Sequence, residues 1–205
     1  KMEKNYITLH ADFPAAVAEF HREFEVPIEY TPLRIELLTE ENEELARATD
    51  KTEIADAICD IIYVAAGTIV ALGYAEFAHI YEIKHNPELD QEVISYAIMY
   101  DLSCIDSHKR PEDKARYCHN IIERCLNLAS TLDIPVMTNF RNVHSNNMAK
   151  KWSDDQVHAL PADCTYSLKS TATGWIVKSP AGKVLKPPEH PKPDLLTTTN
   201  MDKPV

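Results

Sequence analysis

Seven carboxylates crowd one short stretch of this chain. Glu40, Glu41, Glu43 and Glu44 form a first run; Glu53, Asp56 and Asp60 form a second. The first run falls in Leu33–Ala48, which reads as a helix with Leu38, Leu45 and Ala48 on its apolar side. The second falls in Lys51–Leu72, a longer helix whose apolar stripe is Ile54, Ile58, Ile61, Ile62, Ala65 and Ile69. At about 100° per residue, Glu40, Glu41 and Glu44 share an arc of about 100°, and Glu53, Asp56 and Asp60 share a narrower one. Only a tight turn at Thr49-Asp50 joins the two helices, so they must run antiparallel as neighbours. Packed helices lie about 8–10 Å apart, so the two acidic arcs can face one space.

Asp56 and Asp60 carry the most information. They interrupt an otherwise apolar segment, Ile54-Ala55-Asp56-Ala57-Ile58-Cys59-Asp60-Ile61-Ile62-Tyr63-Val64. A buried carboxylate needs a partner. Each like-charged pair 4 Å apart costs about 4 kcal/mol at an effective dielectric of 20, against a total fold stability of about 5–15 kcal/mol. A divalent cation is the simplest remedy. The donors are all oxygens, with no paired histidines and no clustered thiols, which favours Mg2+, or Mn2+ in its place, over zinc. The candidate metal ligands are Glu40, Glu41, Glu44, Glu53, Asp56 and Asp60. A solvated acidic face would use the same glutamates, but it would not place two aspartates inside an apolar segment.

The rest of the chain must position this pair. Pro14–Phe24 reads as a short helix ended by Val26-Pro27. Leu89–Ile105 and Pro111–Leu132 read as two more, with Pro111 at a first-turn position. Asn139–Lys151 reads as a last short helix or capped turn, and Gly73 as a stop. Thr165–Lys169 and Trp175–Lys178 alternate in polarity across a glycine-containing turn, the mark of a β-hairpin. From Pro187 onward the chain is rich in proline and threonine and is expected to be extended or frayed. The expected fold is therefore all-α: a bundle of about five or six helices in residues 1–151, followed by a C-terminal hairpin and extended arm in 152–205.

Composition agrees and excludes alternatives. The chain has 205 residues, 44% of them hydrophobic, with only 4 glycines, and more than half of its 13 prolines lie after Lys151. Its net charge of −11 argues against a nucleic acid polymer as partner, since binding one requires clustered Lys and Arg. Five cysteines without metal-type or redox-type spacing point to a reducing, cytoplasmic setting. No apolar run reaches about 18 uninterrupted residues, so no membrane partner is expected. The Glu-x-x-His pairs of a carboxylate-bridged di-iron bundle are absent.

The constellation resembles the all-α nucleotide pyrophosphohydrolases, which include the MazG proteins, dimeric dUTPases and phosphoribosyl-ATP pyrophosphohydrolase. Their shared pattern is Glu-Glu-x-x-Glu on one helix and Glu-x-x-Asp on the next. Glu40-Glu41-Asn42-Glu43-Glu44 fits the first half. Glu53-Ile54-Ala55-Asp56 has the spacing of the second, while Asp60-Ile61-Ile62-Tyr63-Val64 has its apolar sequel, with Ala57 in the glutamate slot. Phe20-His21-Arg22-Glu23-Phe24 with Pro27 ahead of Arg34 resembles a phosphoribosyl-ATP pyrophosphohydrolase-like subgroup. So does Val143–Lys150 followed by Gly182-Lys183-Val184-Leu185-Lys186-Pro187-Pro188. The resemblance spans about 17–73 and 143–195, and residues 74–135 read as an inserted pair of helices.

What the resemblance implies is hydrolysis of a nucleoside triphosphate, in this reading a deoxynucleotide, to a monophosphate and pyrophosphate. Mg2+ on the carboxylates would bind the triphosphate, Glu40 or Glu41 would activate water, and Asn147, Lys150, Lys183 and Lys186 would bind substrate. A homodimer or homotetramer is expected, as is general in the family. The alternatives are the phosphoribosyl-ATP reaction of histidine synthesis and a non-catalytic helical interaction module. Arg34 and Arg47 are expected in structural ion pairs, His21 and His144 as hydrogen-bonded structural histidines, and Tyr63, Trp175 and Cys59 in packing.

Overall fold

The computed structural model describes residues 6–11, 13–75 and 79–198. Seven helices occur among them: α1 (Phe13–Glu23), α2 (Leu33–Arg47), α3 (Lys51–Ala71), α4 (Gln91–Ser107), α5 (Pro111–Thr131), α6 (Val136–Met148) and the short α7 (Asp154–His158). The four strands are β1 (Tyr6–Ala11), β2 (His79–Lys84), β3 (Ser167–Thr171) and β4 (Gly174–Lys178). The all-α bundle with a C-terminal hairpin expected from the sequence is therefore the architecture found.

Local chemistry sets the helix boundaries. Asp50 caps α3, its carboxylate accepting from the backbone N–H groups of Thr52 and Glu53. Asp90 caps α4 in the same way through Val93. Pro111 opens α5, where its missing N–H costs nothing. α3 ends at Gly73, whose φ of 85° is comfortable only for glycine.

The centre of the molecule is α3, which packs against α1, α2, α5 and α6. Its length and mean hydropathy of 1.8 are those of a membrane-crossing helix, yet most of it is buried inside the bundle. That explains why its stripe of isoleucines is interrupted so sparingly: Ile58, Cys59, Ile61, Ile62, Ala65 and Ile69 are all fully buried. The helices α4 and α5 do not stand apart as an appendage. They pack on α2 and α3 and supply Ile98, Ile105, Ile121, Ile122 and Leu128 to the same core.

Three features differ from the sequence reading. β1 and β2 pair antiparallel, Tyr6 opposite Lys84 and Ala11 opposite His79, so a strand lies within the stretch expected to be purely helical. α6 begins at Val136, three residues earlier than expected, because Pro135 accepts the first backbone hydrogen bond, from Asn139. The arm is extended but docked. Asn139, Asn142 and Asn146 lie on one face of α6 and donate to the carbonyls of Leu196, Asp194 and Pro191. Asn139 also accepts from the Leu196 N–H at 2.8 Å. A polar ladder at helical spacing thus holds a chain that has no secondary structure of its own.

The hairpin is tied down as well. Lys169 pairs with Glu25, and Lys178 donates to the Glu25 carbonyl at 2.7 Å, just where the chain leaves α1. The Trp152 indole donates to the Leu185 carbonyl at 2.9 Å. These contacts bring the segment after β4 across the open side of the α2–α3 pair.

Candidate active site

The acidic faces of α2 and α3 meet along a groove. Glu41 and Asp60, both half-buried, line a cavity of about 160 Å³ together with Asn147 and Lys150 from α6 and Lys183 from the arm. Glu44, Glu53 and Asp56 lie beyond it in a second recess, which Lys192 closes. Glu40 sits at the mouth, exposed, with its carboxylate 2.6 Å from Lys183 Nζ. Lys186 lines neither recess and is exposed, though its charge reaches Asp56 and Asp60.

Electrostatics mark Glu41 and Asp60 as the unusual members. Burial pushes the Glu41 carboxyl up to about 8, with the charges of Asp60, Glu44 and Glu40 adding to the effect and Lys183 opposing it. Burial likewise pushes Asp60 up to about 7, with Asp56 and Glu44 raising it and Lys150 and Lys186 opposing them. Asp56 is also raised, again first by burial. On the opposite wall, burial lowers the Lys150 ammonium while Asp60 and Glu41 hold it charged. Glu41 and Asp60 thus share one cavity with Lys150 and Lys183, and Glu44 and Asp56 share a second recess with Lys192.

Glu53 is spent elsewhere. Its carboxylate turns back to the start of its own helix and accepts from the Thr49 N–H at 2.6 Å and the Thr49 hydroxyl at 3.0 Å. Together with Asp50 this closes the α2–α3 turn, so the Glu53 side chain serves the helix start. Glu41, Glu44, Asp56 and Asp60 remain as donors that would hold a cation. Their chemistry suits a hard one, being oxygen only. Among the described residues no three Asp, Glu, His or Cys side chains converge on one point, so these donors line the groove rather than form a closed cage.

Arg47 pairs with Glu43 at 3.0 Å on the exposed face of α2. Arg34, expected in an ion pair, has no carboxylate partner among the described residues. It is 8% exposed and lines the cavity, and Nη2 lies 3.5 Å from His21 Nε2. His144 is a structural histidine: Nδ1 contacts the Tyr63 hydroxyl at 2.9 Å and Nε2 pairs with Glu19 at 3.2 Å. Tyr63 in turn bonds Asn147, so this chain of contacts holds the amide at the cavity wall. Trp175 bonds Asp154 and lies away from the cavity, while Cys59 is core. Lys192, His21 and Arg34 are site-lining residues whose sequence signal was weak: a lysine between two prolines, and two polar residues in an apolar setting.

The raised carboxyls imply a pH dependence. Glu41 and Asp60 bind a proton more tightly in the fold than in the unfolded chain. Their contribution to stability is therefore complete below the ordinary carboxyl value near about 4 and is lost as pH rises through 7 to 8. Buried His21 and His119, both lowered to about 4, act in the opposite sense, but only below about pH 6.5, where the unfolded imidazoles protonate. Between pH 6.5 and 8, in metal-free buffer, the Tm is expected to fall, each kcal/mol lost lowering it by roughly 2–4 °C for a chain of this size. Asp60→Asn should flatten that decline. A wild-type Tm constant across this window would mean that both carboxyls titrate normally.

The α1–α3 segment that carries the acidic residues has a match among the MazG-like all-α nucleotide pyrophosphohydrolases. Residues 12–86 match the family model of phosphoribosyl-ATP pyrophosphohydrolase, and that segment, which carries α1, α2, α3 and β2, is a domain of this family. Membership supports an enzyme that acts on a nucleotide as a pyrophosphohydrolase. No curated protein and no solved structure matches the chain.

Proposed function

We propose that this protein hydrolyses a nucleoside triphosphate, in the deoxy form, between its α and β phosphates, releasing a nucleoside monophosphate and pyrophosphate. The observation that carries the reading is the meeting of Glu41 and Asp60 with Asn147, Lys150 and Lys183 in one cavity, next to a recess that holds Glu44, Asp56 and Lys192. Glu44, Asp56 and Asp60 would hold Mg2+, or Mn2+ in its place. The cation supplies charge neutralisation on the phosphate oxygens when bound.

The chain's own residues do the rest. Lys150 and Lys183 bind phosphate oxygens from the side opposite the carboxylates, and Lys186 adds charge from the rim. Asn147, held by Tyr63, donates a hydrogen bond. Glu41, at the cavity wall and with a carboxyl that burial raises above the ordinary range, takes the proton of the attacking water. The water oxygen bonds to phosphorus, the bridging P–O bond breaks, and pyrophosphate leaves with its electron pair. Glu40, exposed and paired with Lys183, is the weaker candidate for the base and instead positions that lysine.

The alternative substrate is phosphoribosyl-ATP, which carries a second sugar phosphate on its base. The test is a panel of ribo- and deoxynucleoside triphosphates plus phosphoribosyl-ATP, assayed for pyrophosphate with Mg2+, Mn2+ or chelator. Pyrophosphate and monophosphate should form only with metal, and millimolar Mg2+ should raise the Tm at pH 8. Release of single phosphate, or activity that survives chelation, refutes the proposal.

A homo-oligomer, dimer or tetramer, belongs to the same reading. It is supported by an exposed apolar stripe on α4: Val93, Tyr96, Met99 and Tyr100, each 49–77% exposed. Tyr96→Glu with Tyr100→Glu should shift the light-scattering mass to that of one chain. A wild-type mass of one chain at micromolar concentration contradicts the expectation directly.

A further inference from the structure

The cavity has two ends. Arg34 precedes Glu41 by seven residues on α2, and Gly67 follows Asp60 by seven on α3. Seven residues are two turns, so each pair shares a helix face and is separated by about 10 Å along the axis. Because α2 and α3 run antiparallel, Glu41 meets Asp60 at one end and Arg34 meets Gly67 at the other. A Cβ at Gly67 would stand 3.1 Å from Arg34 Nη1 and 3.3 Å from His21 Nε2. The lysines that face the carboxylates belong to the first end. The second is walled by Val17, Phe20, Val26 and Leu33, with Arg34 and His21 as its polar groups.

Those two polar groups are incompletely satisfied. Arg34 is nine-tenths buried and carries a charge that no described carboxylate offsets. His21 is 3% exposed and its Nδ1 has no hydrogen-bond partner among the described residues. A guanidinium only donates, so the Nε2 facing it is the unprotonated nitrogen, and Nδ1 carries the ring proton. Burial and Arg34 hold the imidazole neutral. The far end of the cavity therefore offers the Arg34 guanidinium as a hydrogen-bond donor in an apolar box, with His21 behind it, about 10 Å from the phosphate end.

We propose that Arg34, backed by His21, reads the base of the substrate, and that the base is a cytosine. The inference rests on the nucleotide reading above and adds its specificity. A guanidinium fork matches two adjacent acceptors. Cytosine presents such a pair in its O2 carbonyl and N3. Uracil and thymine carry a hydrogen on N3, which would oppose a donor. Adenine has no carbonyl. Guanine offers O6 and N7 as a second such pair, and the smaller one-ring cytosine is the better match to the short span between Val17, Phe20, Val26 and Leu33. Gly67 is where the box needs its space, because any side chain there would occupy it.

The test uses the full chain with Mg2+ and five deoxynucleotides: dCTP, dUTP, dTTP, dGTP and dATP. Wild type should prefer dCTP. Arg34→Met should lower kcat/KM for dCTP by about 10- to 100-fold while leaving dATP within about twofold, so that selectivity collapses. A uniform loss on all five makes Arg34 a phosphate-binding or structural residue and overturns the inference. So does a wild-type preference for a purine.

Gly67→Ala guards against a variant that merely fails to fold, since alanine favours the helix. The added methyl would stand 3.1–3.3 Å from Arg34, Val17 and His21, so, with retained helical circular dichroism as the control for folding, the variant's affinity for cytidine should drop about tenfold. Wild-type affinity in that variant also overturns the inference. Direct binding of cytidine against adenosine, without metal, keeps the two readings apart because neither ligand carries a phosphate. Selective cytidine binding without any pyrophosphate release would sink the hydrolase and keep the base site. Hydrolysis without base preference would do the reverse.

Discussion

Asp60→Asn is expected to lower kcat by a hundredfold or more, on the order of 3 kcal/mol in the barrier. The substitution keeps shape and hydrogen-bonding capacity and removes one negative charge. Asp60 lies where that charge matters most: at the cavity wall, between Asp56 and Glu44 on one side and Lys150 and Lys186 on the other. If the groove holds a cation for phosphate chemistry, loss of this donor weakens both metal binding and transition-state neutralisation. The fold should survive, and above pH 7 without metal it should gain stability, because one member of a repulsive set is gone. Glu43→Gln is the matched control. Glu43 pairs with Arg47 on the solvent side, where both side chains are more than 60% exposed. Such pairs contribute about 0–1 kcal/mol, and this one touches no cavity. Equal behaviour of the two variants in activity and in metal-dependent Tm would reduce the acidic helices to a solvated face.

Ending the chain at Lys178 should raise KM by about 10- to 100-fold while the bundle remains folded. The deleted segment contains Gly182, Lys183 and Val184 of the cavity wall, Lys186 at the rim and Lys192 of the second recess. Three lysines facing phosphates across a partly solvated groove, at up to about 1 kcal/mol each, account for that range. The bundle core is built from α1 to α6 and β2, and among the described residues of this segment Leu195 is the hydrophobic one that packs against it. The asparagines of α6 that lose their carbonyl partners include two that are half-exposed and can turn to water. Lys183→Met with Lys186→Met in the intact chain should reproduce a large part of the KM effect with no change in Tm. Unchanged kinetics in the double variant would return both lysines to ordinary surface charge.

The helical part of the fold was legible because its cues are local. Apolar spacing marked α2, α3 and α5, and Gly73, Pro111 and the Thr49-Asp50 turn marked their limits, each to within a residue or so. The acidic arcs were legible for the same reason: helical geometry alone places Glu41 and Glu44 on one side of α2 and Asp56 and Asp60 on one side of α3. The β1–β2 pair was not, since its partners stand about seventy residues apart and neither short run outweighs the helical pattern around it. Nor was the docking of the arm, which depends on Asn139, Asn142 and Asn146 finding backbone carbonyls some fifty residues later.

Within the candidate site the division is sharper. The sequence by itself determined which residue types are present, the antiparallel pairing of the two acidic helices, and the hard-oxygen character of the donors. Tertiary structure decided how the carboxylates divide. Glu53 turns to the Thr49 backbone, Glu40 goes to Lys183 at the mouth, and Glu41 and Asp60 stay inside, where desolvation raises both. It also decided that Arg34 is a buried cation beside His21 with no carboxylate partner among the described residues. The physical reason is range. Helix propensity, capping and periodicity act over a few residues and can be read along the chain. Desolvation and charge–charge coupling depend on what other segments bring to within a few ångströms, and here those segments are α1, α6 and an arm more than a hundred residues away.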